Sequence, residues 1–258
     1  PGGTVVLMNT HYLNASSRQL MADARVNLYT IPKAEVKQEG GMLFFYNPFI
    51  YLPGGQKGSA RLRCAVRSDV TLANVQSHMH RRAVGYEASW VDGEGKLLEK
   101  IYENRAWEEV PVKRFEPGKA LQKGTALEYR CDYDNQEART VIQGPRTSDE
   151  MCMLIGSYYP RDPQMEGCAE PTFFGDGDKS CGQTLLCATS AKGDEEFFGC
   201  ITATCPAVAR QMSEALKCAF SRGAGACQDT CSKDPTQCNA CVQKACEPQV
   251  SACLQAKC

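Results

Sequence analysis

The chain has 258 residues, enough for one large domain or two ordinary ones with a real core. Its 29 basic side chains nearly cancel 30 acidic ones, which speaks against a nucleic acid or an anionic membrane as partner. No apolar run approaches the roughly 18 residues needed to cross a bilayer, so no transmembrane segment is predicted.

In chain order, the sequence opens at Pro1-Gly2-Gly3 directly into "TVVLMNTHYL" (4–13), which reads as a strand. No signal peptide precedes it, so the expectation is a processed form or a piece of a longer protein. Further strands are predicted at "GMLFFYNPFIYL" (41–52), "ARLRCAVRSDVTLANVQSHMH" (60–80) and "AVGYEASWV" (83–91). Three more follow at "ALEYRCDY" (126–133), "ARTVIQG" (138–144) and "MCMLIGSYY" (151–159). All are rich in β-branched and aromatic residues, and turn signals such as "DGEGK" and "EPGK" punctuate them. No long helical period intervenes, and a mainly β fold results, an antiparallel jelly-roll-like sandwich.

Cysteine usage then changes. Of 16 cysteines, Cys64, Cys131, Cys152 and Cys168 lie in the first 170 residues, and twelve crowd between Cys181 and Cys258. The shift predicts a domain boundary in "EPTFFGDGDKS" (170–180), where Pro, Gly and Asp cluster. Beyond it, "CPAVARQMSEALKCAFSRG" (205–223) has helical spacing and ends in glycine, while "CQDTC" and "CNACVQKAC" set cysteines on one helix face. The tail is expected to be a small disulfide-rich helical domain with six bridges, whose pairing sequence alone does not reveal. Cys238 and Cys241 form a CxxC, yet with twelve cysteines and no tail histidine a disulfide scaffold outweighs a zinc site. So many cysteines in an even number point to an oxidising compartment: secreted, periplasmic or cell-surface.

Two of the chain's three histidines stand one residue apart in "NVQSHMHRRAVGY" (74–86). In a strand, Gln76, His78 and His80 share one face, and Val75, Ser77 and Met79 share the other. Two imidazoles so placed can reach one metal ion and suit copper, zinc or iron, against the plainer reading of two packing histidines. Candidate third ligands are His11 in "NTHYLN", and Met151 or Met153 in "TSDEMCMLIGSYYP". Two imidazoles with a thioether favour copper, because soft sulfur stabilises Cu(I). Methionines in strands are mostly core filler, which is the reading for Met79.

Taken together, "LMNTHYLN", "SHMHRRAVGY" and "VIQGPRTSDEMCMLIGSYYP" resemble, in order and spacing, the copper type II, ascorbate-dependent monooxygenases, the family of the peptide-amidating and dopamine-type enzymes. The resemblance implies a catalytic core of two β-sandwich domains, each with one copper. Residues 1–13 would be the last strand of the first domain, 14–170 the second domain, and 171–258 an appendage outside the resemblance. It further implies that His78, His80 and Met151 hold the catalytic copper, that Cys131 bonds Cys152 and Cys64 bonds Cys168, and that ascorbate donates the electrons. His11 resembles one of three histidines at the electron-transfer copper. The other two would lie upstream of Pro1, in a further domain or a partner chain.

The chain also departs from the family. Peptide-amidating relatives clamp a carboxylate with an Arg two residues before the HxH and a Tyr four residues after the ligand Met, where this chain has Gln76 and Ile155. Such a clamp needs a charged or strong donor, so peptide amidation is disfavoured and the substrate, small molecule or peptide, stays open. Tyr86, Tyr158 and Tyr159 read as core, and Glu150, beside Met151, either orients a ligand or, on the plainer reading, is a solvated carboxylate. The expected function is O2-dependent C–H hydroxylation at a His2Met copper. The alternative is a non-catalytic extracellular module with the cysteine-rich tail as its interaction domain.

Overall fold

The computed structural model describes residues 5–8, 10, 12, 14 and 16–258, in a first unit ending at Lys37 and a second spanning Gln38–Cys258. In the first unit the only regular element among the described residues is a 3-10 turn at Lys33–Glu35. Residues 5–8, 10 and 12 of the predicted first strand carry no strand, and Val5, Leu7, Met21 and Tyr29 of this unit are exposed. An apolar run becomes a strand only where a neighbour takes its N–H and C=O groups.

The second unit is an antiparallel β-sandwich followed by helices. Its strands are β1 (Gly41–Tyr46), β2 (Tyr51–Leu52), β3 (Gln56–Ala65), β4 (Val70–Met79), β5 (Ala83–Val91) and β6 (Leu97–Asn104). They continue with β7 (Lys113–Leu121), β8 (Ala126–Asn135), β9 (Val141–Ile142), β10 (Cys152–Tyr159) and β11 (Pro171–Phe174). One sheet runs β1-β10-β4-β7 and the other β11-β3-β8-β5-β6, with β2 and β9 paired beside them.

Alternation explains the layering. Leu127, Tyr129, Cys131 and Tyr133 of β8 are buried, as are Leu62 and Cys64 of β3 and Leu72, Val75 and Met79 of β4. These meet Leu43, Phe45, Cys152 and Leu154 from the other strands in one core between the sheets. The Cys131–Cys152 bridge crosses that core from β8 to β10, and Cys64–Cys168 ties β3 to the segment before β11. Both are the pairs that the resemblance implies.

"EPGK" is not a turn between strands. Residues 116–119 lie within β7, where the pairing with β4 slips between Leu72 and Asn74. β7 is an edge strand, and an edge or a bulge is where Pro117 can sit without breaking a ladder. The Pro- and Gly-rich segment 170–180 likewise carries a strand, β11, which pairs with β3. Beyond it the backbone is fastened to residues 202–205: Asp176 N–H donates to Thr202 O, Lys179 N–H to Ala203 O, and Cys205 N–H to Lys179 O. A β-carbon at Gly177 would collide with the backbone of Ala203, so the close approach requires glycine there.

The helices are α1 (Cys181–Ser190), α2 (Asp194–Thr202), α3 (Ala209–Cys218), α4 (Ala224–Lys233), α5 (Pro235–Ala245) and α6 (Glu247–Gln255), with a π-helical turn at Ala219–Gly223. Ser180 and Gln183 form a capping box on α1, and Asp194, Glu195 and Glu196 place negative charge in the first turn of α2. Six bridges staple the region: Cys181–Cys253, Cys187–Cys200, Cys205–Cys258, Cys218–Cys246, Cys227–Cys241 and Cys231–Cys238. Cys238 and Cys241 therefore bond different partners and leave no thiol pair for zinc. The second core, around Ile201, Met212 and Leu216, takes in Phe49 from between β1 and β2 and borders Phe173 of β11. The rings of Phe49 and Phe173 pack edge-on at 4.6 Å, and Phe173 N–H donates to Ser213 Oγ of α3.

Candidate metal centre

Two stretches meet at one end of the four-stranded sheet: the close of β4 with residues 80–82, and residues 149–153 leading into β10. Their register fixes the faces. Cys152 stands opposite Met79, and both point into the core. The next pair, Met153 opposite His78, therefore faces outward, and Ile155 opposite Gln76 follows on the same side. Residues directly opposite in an antiparallel pair have β-carbons about 4.5–5.5 Å apart, so the Met153 side chain neighbours the His78 ring. His80 and Met151 each lie one residue beyond the last pair, outside the two strands, and the His80 ring stands beside that of His78. On β1, Tyr46 flanks Met153 and Phe44 flanks Ile155. Met153 is only 2% exposed although it is on the outer face.

The two imidazoles adjoin each other, with ring centroids 5.4 Å apart and planes at 84°. His80 Nδ1 lies 3.0 Å from the carbonyl oxygen of Asp149. A carbonyl only accepts, so Nδ1 carries a proton, and in the neutral tautomer the lone pair is on Nε2. Burial, and secondarily the neighbouring His80, lowers the pKa of His78 from 6.5, so its ring stays neutral further into acid. Both rings can therefore offer nitrogen lone pairs.

Met151 is held from behind: Tyr133 of β8 donates its hydroxyl to the Met151 carbonyl at 2.7 Å, and the Cys131–Cys152 bridge begins at the next residue. Glu150, expected to be a solvated carboxylate, is instead 0% exposed. Its oxygens accept the backbone N–H groups of His80 at 3.0 Å and Arg82 at 2.9 Å. Burial raises its pKa, and those two N–H groups pull against the shift. Neither Arg82 nor Tyr133 stood out in the sequence. The former reads as one more surface arginine after an HxH, and the latter as ordinary strand aromatic.

Among the described residues no three His, Cys, Asp or Glu side chains form a metal-holding group. The donors that could hold a metal here are thus His78, His80 and a thioether from Met151 or Met153, a set whose softness suits copper. His11 lies outside the described residues. Gln76 and Ile155 are directly opposite each other, beside the His78–Met153 pair, and neither bears charge. Tyr86 and Tyr158 are buried in the sandwich core, and Tyr159 is half-buried.

Residues 43–173, half of the chain, match the family described as the copper type II ascorbate-dependent monooxygenase, C-terminal domain. A comparison with curated proteins finds no match.

Proposed function

The chain belongs to the copper type II ascorbate-dependent monooxygenase family through its C-terminal domain, and from that premise we propose that its sandwich is the copper-binding half of an O2-dependent C–H hydroxylase. The family is copper and ascorbate dependent. In this reading His78, His80 and Met151 hold the metal. Copper, when bound, supplies the one-electron chemistry by which O2 oxidises a C–H bond, with ascorbate as the reductant.

The observation that carries the proposal is the imidazole pair. Its rings stand 5.4 Å apart, and the carbonyl of Asp149 sets the His80 tautomer two residues before Met151. The rest of the chain's work is positional. Burial favours the neutral His78 ring, Tyr133 and the Cys131–Cys152 bridge fix the segment that bears Met151, and the uncharged Gln76 and Ile155 border the space beside the rings. Substrate approaching that space meets an amide and an aliphatic group, which favours an uncharged partner over a peptide carboxylate.

Electron supply calls for the second copper site, from an upstream domain or a partner chain, to which His11 would contribute. Eight disulfides support an oxidising, extracellular-type compartment. No helix among the described residues is long and apolar enough to cross a membrane.

The test measures copper stoichiometry and Cu(I) coordination on the purified chain and on Met151→Ala, then ascorbate-dependent O2 consumption with and without the upstream domain. One copper that loses its sulfur ligand in the variant supports the site. A chain that binds no copper refutes the reading and leaves the non-catalytic module.

A further inference from the structure

We propose that Glu150, backed by Arg82, is the positioning residue of this site: its carboxylate sets how far the His80 imidazole stands from the segment 151–153 that bears the thioethers. The inference rests on the copper reading above and concerns a residue that would not itself touch the metal.

The geometry is a staple between two strand ends. Glu150 Oε2 accepts the His80 N–H at 3.0 Å and Oε1 accepts the Arg82 N–H at 2.9 Å, so one carboxylate spans the backbone on both sides of Arg81. The Arg82 guanidinium turns back on the same group, with Nη1 3.4 Å from Glu150 Oε1 and 3.4 Å from the Asp149 carbonyl. That carbonyl also receives His80 Nδ1. Three successive residues thus act on one site. Asp149 orients the ring through its carbonyl, Glu150 holds the backbone that carries the ring, and Met151 offers sulfur. The backbone of Glu150 is itself tied down, its N–H donating to Ile142 O and its carbonyl accepting from Gly144 N–H. A carboxylate that accepts two N–H groups with no exposure to water has no mobility to spare.

Charge balance makes the role separable from folding. Arg82 is 5% exposed and pairs with Glu137 as well as Glu150. Neutralising Glu150 therefore still leaves the buried guanidinium paired with the Glu137 carboxylate, so the charge is not stranded without a partner. Glu150→Gln has one acceptor oxygen in place of two, and its amide N–H₂ would oppose one of the two backbone donors.

The experiment titrates the whole chain with Cu(I) and records the Cu(II) electron paramagnetic resonance spectrum for wild type, Glu150→Gln, Glu150→Asp, His80→Ala and Leu72→Ala. Leu72 is a core residue of β4 on the opposite face, and its loss loosens the sandwich without touching the staple. In Glu150→Gln, copper affinity is expected to fall roughly 10–100-fold with an altered spectrum. Glu150→Asp, with both acceptors on a shorter stem, recovers part of the loss. Leu72→Ala melts earlier with an unchanged spectrum. If Glu150→Gln fails to fold, Glu150→Asp decides alone. Unchanged affinity and spectrum in the folded Glu150 variants, while His80→Ala loses copper, overturn the inference and spare the copper reading. Equal binding by wild type and His80→Ala overturns both.

Discussion

Replacing Cys131 and Cys152 together by alanine isolates what the inter-sheet bridge contributes. The two cysteines are 21 residues apart. Closing a loop of that size restricts the unfolded chain by about 3 kcal/mol at 25 °C, on the chain-entropy relation. For a unit of about 200 residues, each kcal/mol moves the melting midpoint by about 2–4 °C, so the double variant should melt about 6–12 °C lower. The Cys231–Cys238 pair, 7 residues apart, closes a smaller loop worth about 2 kcal/mol and serves as the control. Calorimetry ranks the two, and Cu(I) competition with a chromogenic chelator reads the site. Since the Tyr133 hydroxyl and the Glu150 carboxylate still hold the 150–151 segment, copper affinity should fall less than tenfold. A midpoint shift no larger than that of the Cys231/Cys238 variant would refute the loop-closure reasoning. Loss of copper without loss of stability would refute the claim that the other two contacts suffice.

Other outcomes follow from the same geometry. X-ray absorption on the Cu(I) form should lose its copper–sulfur scattering in Met151→Leu and keep it in Met153→Leu; the reverse would move the ligand to the residue opposite His78. Tyr133→Phe removes the hydroxyl donor to the part-buried Met151 carbonyl and should cost about 1 kcal/mol in urea melts, against no change if water replaces the hydroxyl. Because burial depresses the pKa of His78, its contribution to stability is present above 6.5, the unfolded value, and is lost as pH falls through the folded value. Metal-free wild type should therefore lose stability on acidification below pH 6.5 more steeply than His78→Gln, and parallel curves would contradict the burial argument. Installing the missing clamp as Gln76→Arg with Ile155→Tyr should raise affinity for a peptide carboxylate at least tenfold by equilibrium dialysis; no gain would mean that this face is not where substrate lies.

The parts legible in the sequence were those rich in β-branched and aromatic residues. "AVGYEASWV" and "MCMLIGSYY" carry that composition because both strands have neighbours on each side and are largely buried. β6, in which Ile101 and Tyr102 alone are buried, and β7, with Pro117 and Gly118, are edge strands and lack that composition. β11 is short and sits among turn residues. At the site, the HxH pair was visible because alternation alone puts two imidazoles side by side. Glu150 was visible only as a neighbour of Met151 able to orient a ligand; its actual partners are backbone N–H groups some seventy positions earlier, and nothing in the letters DEMC announces them. Likewise the helical region looked separate by cysteine density, whereas its core draws in Phe49 and borders Phe173 from strand-bearing stretches.

That sharing of aromatic rings has a consequence for anyone who trims this protein. A cut after residue 170 would strip Phe173 from the sheet and leave Phe49 bare, turning an interior seam into a sticky surface. The family match itself runs to residue 173, inside β11. Sandwich and helices should consequently melt in a single calorimetric peak, and the isolated sandwich should precipitate where the intact chain stays in solution.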